Sequence, residues 1–87
     1  MTTVGRRAYF GIGGWFKLEP GDYLRTSDGT WMCRVPDSRF QQTGSLETHE
    51  VTEHDNGTIT VSPSILHREE GVGEWHGFLE RGIWRDA

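Results

Sequence analysis

Trp31, Cys33 and Val35 alternate with Met32 and Arg34, a period of two that predicts a strand with one apolar face. The same alternation returns twice. Ile59 and Val61 oppose Thr58, Thr60 and Ser62, and Trp75, Gly77 and Leu79 oppose His76 and Phe78. Between these runs lie turn formers. Ser27-Asp28-Gly29 separates Tyr23–Thr26 from Thr30–Val35, and Asp55-Asn56-Gly57 separates Thr48–His54 from Thr58–Ser62. A glycine closing a three-residue loop suits the left-handed position of a bulged hairpin. Arg81-Gly82 likewise turns Glu74–Glu80 back into Ile83-Trp84, so the chain reads as three hairpins.

The segments between the hairpins are less patterned. Residues 36 to 47 carry turn formers and read as a loop, as does Glu69–Gly73. Val51 is the single strongly apolar residue of Thr48–His54, which marks an edge strand or one that covers little core. Pro63 cannot donate to a strand ladder, so it ends its strand or confines it to an edge. Ser62-Pro63 could equally start one helical turn through Ser64-Ile65-Leu66. Residues 1 to 14 read as an N-terminal arm, with one β domain over residues 15 to 87. The expected fold is a mainly β, small single-domain antiparallel sheet, sandwich or tent-like, with at most one short helical turn.

Composition decides what holds such a sheet together. A domain of 87 residues removes only about 60% or slightly more of its unfolded surface from water. Its hydrophobic fraction is low at 33%, but four Trp, four Phe and two Tyr can each bury roughly 150–250 Å². One cysteine, Cys33, permits neither an internal disulfide nor a thiolate zinc site. Aromatic packing is therefore the expected source of cohesion. The net charge of −4, with Arg6-Arg7 the single adjacent basic pair, argues against a nucleic-acid partner, because phosphates call for a basic face. No stretch approaches the ~18–20 apolar residues of a membrane span, and the N-terminus lacks the apolar core of a signal peptide. No membrane partner is expected, and a reducing cytoplasm is the simplest location.

Candidate chemistry centres on four histidines, at 49, 54, 67 and 76. His49 and His54 are five residues apart, which on a strand puts them on opposite faces, and no pair has metal-ligand spacing. Neither a metal nor another cofactor is expected. No G-x-S-x-G elbow accompanies the serines, and Gly11-Ile12-Gly13-Gly14 lacks the spacing of a phosphate-binding turn. No catalytic residue is assigned. What remains is a binding site at the margin of the sheet, where Ser62, Ser64, His67 and His76 could converge beside Trp75 or Trp84 into a shallow polar-aromatic pocket.

Three stretches carry a resemblance. "THEVTEHDNGTITVSPSI" followed by "WHGFLERGIWR", with "EPGDYLRTSDGTWMCRVP" upstream, resembles small proteins of unassigned function found in many tailed-phage genomes, over about three quarters of the chain. A larger, distantly similar group of bacterial domains of unknown function carries cysteines before the "PSI" strand and Cys-x-x-His in place of "GEWHG". This chain departs from that pattern, since Ser45 and Leu46 supply no thiol and His76 alone is left of the second pair. The resemblance implies a phage origin and a small β fold, without a reaction. The resulting expectation is a non-enzymatic, phage-encoded accessory binding protein in the host cytoplasm, with a possible anti-defence role, acting on a host protein or small host molecule. A small hydrolase using His76 or His67 and a minor virion component are the alternatives. Uncovered edge strands add self-association as a homo-oligomer.

Overall fold

The computed structural model describes residues 2 to 87. Nine strands follow one another: β1 Thr2–Val4, β2 Arg6–Arg7, β3 Asp22–Arg25, β4 Trp31–Cys33, β5 Gly44–Ser45, β6 Glu50–Glu53, β7 Ile59–Glu69, β8 Gly73–Glu80 and β9 Ile83–Asp86. They form two sheets, one ordered β1-β9-β8-β7-β6 and the other β2-β3-β4-β5. All pairings are antiparallel except β2 with β3. The mainly β, small single-domain fold expected from the alternation is the observed one, and no helical turn follows Pro63.

The turns do what their residues dictate. Gly29 and Gly57 close the two three-residue loops at φ 90° and 84°, and each loop is tied across its base, by Thr26 N–H to Thr30 O and His54 N–H to Thr58 O. Pro20-Gly21 forms a tight turn closed by Asp22 N–H to Glu19 O, with Gly21 at φ 88°, as a proline-then-glycine pair requires. The turn leaves the Gly21 carbonyl facing the core.

Two expectations change. The sequence reads residues 1 to 14 as an arm, yet Thr2–Val4 supply β1 to one sheet and Arg6–Arg7 supply β2 to the other. Their period-two signal is too short to read, since two or three residues per strand carry no alternation. The chain crosses between sheets at Gly5, where an added Cβ would lie 2.9 Å from the carbonyl oxygens of both Gly21 and Gly82. Residues 62 to 66, which the sequence leaves open between a strand end at Pro63 and a helical turn, continue β7, which runs on to Glu69. Val61 pairs with Leu79 but Ile65 pairs with Gly77, so β7 spends two extra residues in a bulge that contains Pro63. On its other side β6 stops pairing at Ser62. Pro63 thus sits where no ladder bond is asked of it.

The two sheets share one core. Tyr23, Trp31, Cys33, Val35, Phe40 and Leu46 from one side meet Ile59, Val61, Ile65, Trp75, Leu79 and Trp84 from the other. Trp84 is fully buried, stands edge-on to Trp75 with ring centroids 5.5 Å apart, and donates its indole N–H to Gly21 O at 2.9 Å. Burial pushes the Cys33 thiol up to about 12, so it packs as a small apolar group. Arg7 adds a polar tie. Its guanidinium lies 4.8 Å over the Trp31 ring and donates to Glu53 Oε2 at 2.6 Å, joining β2 of one sheet to β6 of the other.

Gly77 lets Trp75 lie flat on the backbone. A Cβ there would fall 2.4 Å from the Trp75 ring and 2.4 Å from the Arg85 carbonyl oxygen, closer than real atoms approach. Gly77→Ala should therefore lower stability in urea denaturation by about 1–3 kcal/mol, the usual cost of overpacking. An unchanged midpoint would mean that the ring does not rest on Gly77.

Candidate functional site

Strand alternation divides β7 and β8 cleanly. Ile65, His67 and Glu69 turn inward with Trp75, Gly77 and Leu79, while Ser64, Leu66, His76 and Phe78 face outward. On that outer face Ser64 Oγ and His76 Nε2 are 2.8 Å apart, a hydrogen bond between an exposed histidine and a half-buried serine. His49 reaches the same residue from beyond β6, its Nε2–H donating to Ser64 O at 3.1 Å. Phe78 flanks the pair, with Arg85 stacked over its ring at 4.5 Å.

Two hollows adjoin this pair. One, of about 470 Å³, is lined by Asp37, Arg39, Glu74, Trp75, His76 and Asp86 among others. The second, of about 430 Å³, is more apolar and is lined by Ser62, Pro63, Ser64 and Phe78 with their neighbours. His76 borders the first and Ser64 the second, so their hydrogen bond spans the rim between the two. Within the first, Arg39 Nη2 donates to Asp37 Oδ2 at 2.7 Å and holds the Asp37 carboxyl below its ordinary range. Glu74 is bonded to Arg68, and Asp86 adds a third carboxylate. The hollow is acidic on balance.

Of the six residues expected to converge, the structure brings together Ser62, Ser64 and His76 around this rim, with an edge of Trp75 reaching the acidic hollow. His67 and Trp84 lie elsewhere. Trp84 belongs wholly to the core. His67 sits edge-on to Phe40, with ring centroids 5.6 Å apart, and its Nε2 is 3.1 Å from Glu69 Oε1. Glu69 is itself buried and accepts the Gln42 backbone N–H at 2.7 Å. That bond, assisted by His67, holds the Glu69 carboxyl below the usual range against the opposing effect of burial. His67 and Glu69 therefore fasten the loop of residues 40 to 44 onto β7 from inside, a structural task.

Sequence reasoning missed Glu69, which read as the start of the loop Glu69–Gly73. It also missed His49 as the second histidine at Ser64. The available signal was period two: Ile65, His67 and Glu69 share one face if β7 is carried past Pro63. Among the described residues no group of three or more His, Cys, Asp or Glu side chains is placed to hold a metal ion. No protein-family model matches the chain, and comparison with curated proteins and with solved structures returns no match.

The Glu69 tie has a pH signature. Its carboxyl is depressed in the folded chain, so its stabilisation is present above the ordinary value of 4.5 and lost as pH falls through the folded value. Glu69→Gln should be less stable than the parent at neutral pH, with the difference shrinking once pH drops below that ordinary value. Urea midpoints measured across acid and neutral pH check this. A difference that does not vary with pH would contradict it.

Proposed function

We propose that this is a non-enzymatic, phage-encoded binding protein that acts in the host cytoplasm by engaging a host protein or small host molecule at the rim built by Ser64 and His76. One observation carries the reading. His76 is exposed on the outer face of the larger sheet, fixed by Ser64 at 2.8 Å, and borders a hollow whose carboxylates are Asp37, Glu74 and Asp86. An ordered polar group beside concave, acidic walls selects a cationic or hydrogen-bond-donating group on the ligand. The phage assignment rests on the sequence resemblance over the three hairpin segments.

A second reading has its own observation. A serine hydroxyl within hydrogen-bond reach of an imidazole is the geometry of a nucleophile and its general base, which supports a small hydrolase using Ser64 and His76. One part of such a site is wanting: among the described residues no carboxylate is hydrogen-bonded to the other ring nitrogen of His76 to orient it. Binding is the better supported use.

His76→Ala should reduce capture of the ligand at least about tenfold, the loss of one charge-assisted hydrogen bond. Thermal stability should be almost unchanged, because the His76 side chain is exposed on the outer face of the sheet. Pull-down from host lysate, read for both proteins and nucleotides, measures the first quantity and a melting curve the second. Undiminished capture removes His76 from the site, and covalent labelling of Ser64 by a fluorophosphonate that is lost in His76→Ala would put hydrolysis in place of binding.

A further inference from the structure

The loop between β2 and β3 contains "AYFGIGGWF", residues 8 to 16, without a single charge. Five of its side chains are large, apolar or aromatic, and exposed: Ile12 is 98% exposed, Tyr9 71%, Trp15 67%, Phe10 40% and Phe16 37%. Elsewhere this chain buries its rings, with Trp31, Trp75 and Trp84 all under a tenth exposed. An apolar patch of this size on a small domain marks an interaction surface. The loop is also built. Gly11 N–H donates to Trp15 O at 2.7 Å and Gly14 N–H to Gly11 O at 3.0 Å, while Phe10 and Phe16 stand edge-on at 5.3 Å. Gly13 and Gly14, at φ 87° and 84°, make the tight reversal that places Ile12 at the tip. Trp15 folds back over Gly11, where an added Cβ would lie 2.4 Å from the indole.

We propose that this loop is an interfacial anchor that inserts Ile12 and the surrounding rings into the surface of a zwitterionic phospholipid bilayer. Three features select a lipid surface over a protein. The polar side-chain atoms available between Ala8 and Phe16 are the Tyr9 hydroxyl and the Trp15 indole N–H, too few for the hydrogen bond per 100–200 Å² that protein interfaces carry. Trp and Tyr are the side chains that favour the headgroup level, with an aliphatic residue going deeper. Two internal backbone bonds, Gly11 N–H to Trp15 O and Gly14 N–H to Gly11 O, pair part of the loop's main chain before it meets lipid.

Charge then selects the kind of lipid. All thirteen acidic residues lie at Glu19 or beyond, so nothing anionic precedes the loop in sequence. The nearby cations are already neutralised, Arg6 by Asp22 at 2.7 Å, Arg7 by Glu53 at 2.6 Å and Lys17 by Glu19 at 3.5 Å. Attraction to anionic headgroups is therefore weak, and apolar insertion carries the binding. Such a surface needs no spanning segment. Among the described residues no helix is long and apolar enough to cross a membrane, and none is required. The inference is independent of the Ser64–His76 site.

Trp15 reports on its own environment, since the other three tryptophans are buried. Added to phosphatidylcholine vesicles, the full chain should co-sediment, its emission should shift to the blue, and brominated phosphatidylcholine should quench that emission. Binding should change little with added salt or with a share of phosphatidylglycerol. Ile12→Asp, at a position that supports nothing in the fold, should lower the partition coefficient about tenfold or more, as expected when an Ile side chain stays in water. Trp15→Phe should bind while losing the spectral shift. Absence of binding to either vesicle, or undiminished binding by Ile12→Asp, overturns the proposal. So does self-association in lipid-free buffer that shields Trp15 from acrylamide, which would make the loop a contact between copies.

Discussion

The Trp84 indole stands on β9 of the larger sheet and donates its N–H to a carbonyl of the turn that opens β3 in the smaller one. That single ring is both the largest buried surface and a directional bond between the layers. Gly5 and Gly21 close around its N–H edge, where a Cβ at Gly5 would come within 2.8 Å of Nε1, and Trp75 covers its face edge-on. Replacing a buried ring of this size by alanine costs about 3–5 kcal/mol, against a total of roughly 5–10 kcal/mol for a domain this small. The glycines at the crossing point, the type of turn at Pro20-Gly21 and the inward face of β8 are conditions for seating this ring.

Much of this was legible in the sequence because period two is a strong signal when a face is buried. Trp75, Gly77 and Leu79 against His76 and Phe78, and Ile59 and Val61 against their threonines, place themselves, and glycines at 29, 57 and 82 fix the reversals. The parts that escaped share a physical cause. β1 and β2 are too short to alternate, and what makes them strands is pairing with residues about 80 and 16 positions away, which local pattern does not encode. Pro63 reads as a stop because a ladder usually needs its N–H, and only the pairing of β6 and β8 shows that here it does not.

The candidate site was legible to the same extent. Alternation put His76 on the outer face, and the structure gives it Ser64, four residues beyond Thr60 across the bulge. The same bulge decides the fate of His67, which shares a face with Glu69 and Ile65 and so turns to the interior. Glu69 illustrates the limit of composition: two adjacent glutamates beside a glycine look solvated, yet one is folded under a loop and bonded to a backbone amide. The surface accordingly carries two separate features, a polar rim around Ser64 and His76 and an uncharged aromatic loop after β2.

The Trp84 indole bond is the clasp between the sheets, and hydrogen exchange at that N–H tests this most directly. It should exchange only with global unfolding, at the rate of the slowest backbone amides of β3 and β8. Exchange orders of magnitude faster, while those amides stay protected, would show that the layers are held together without it.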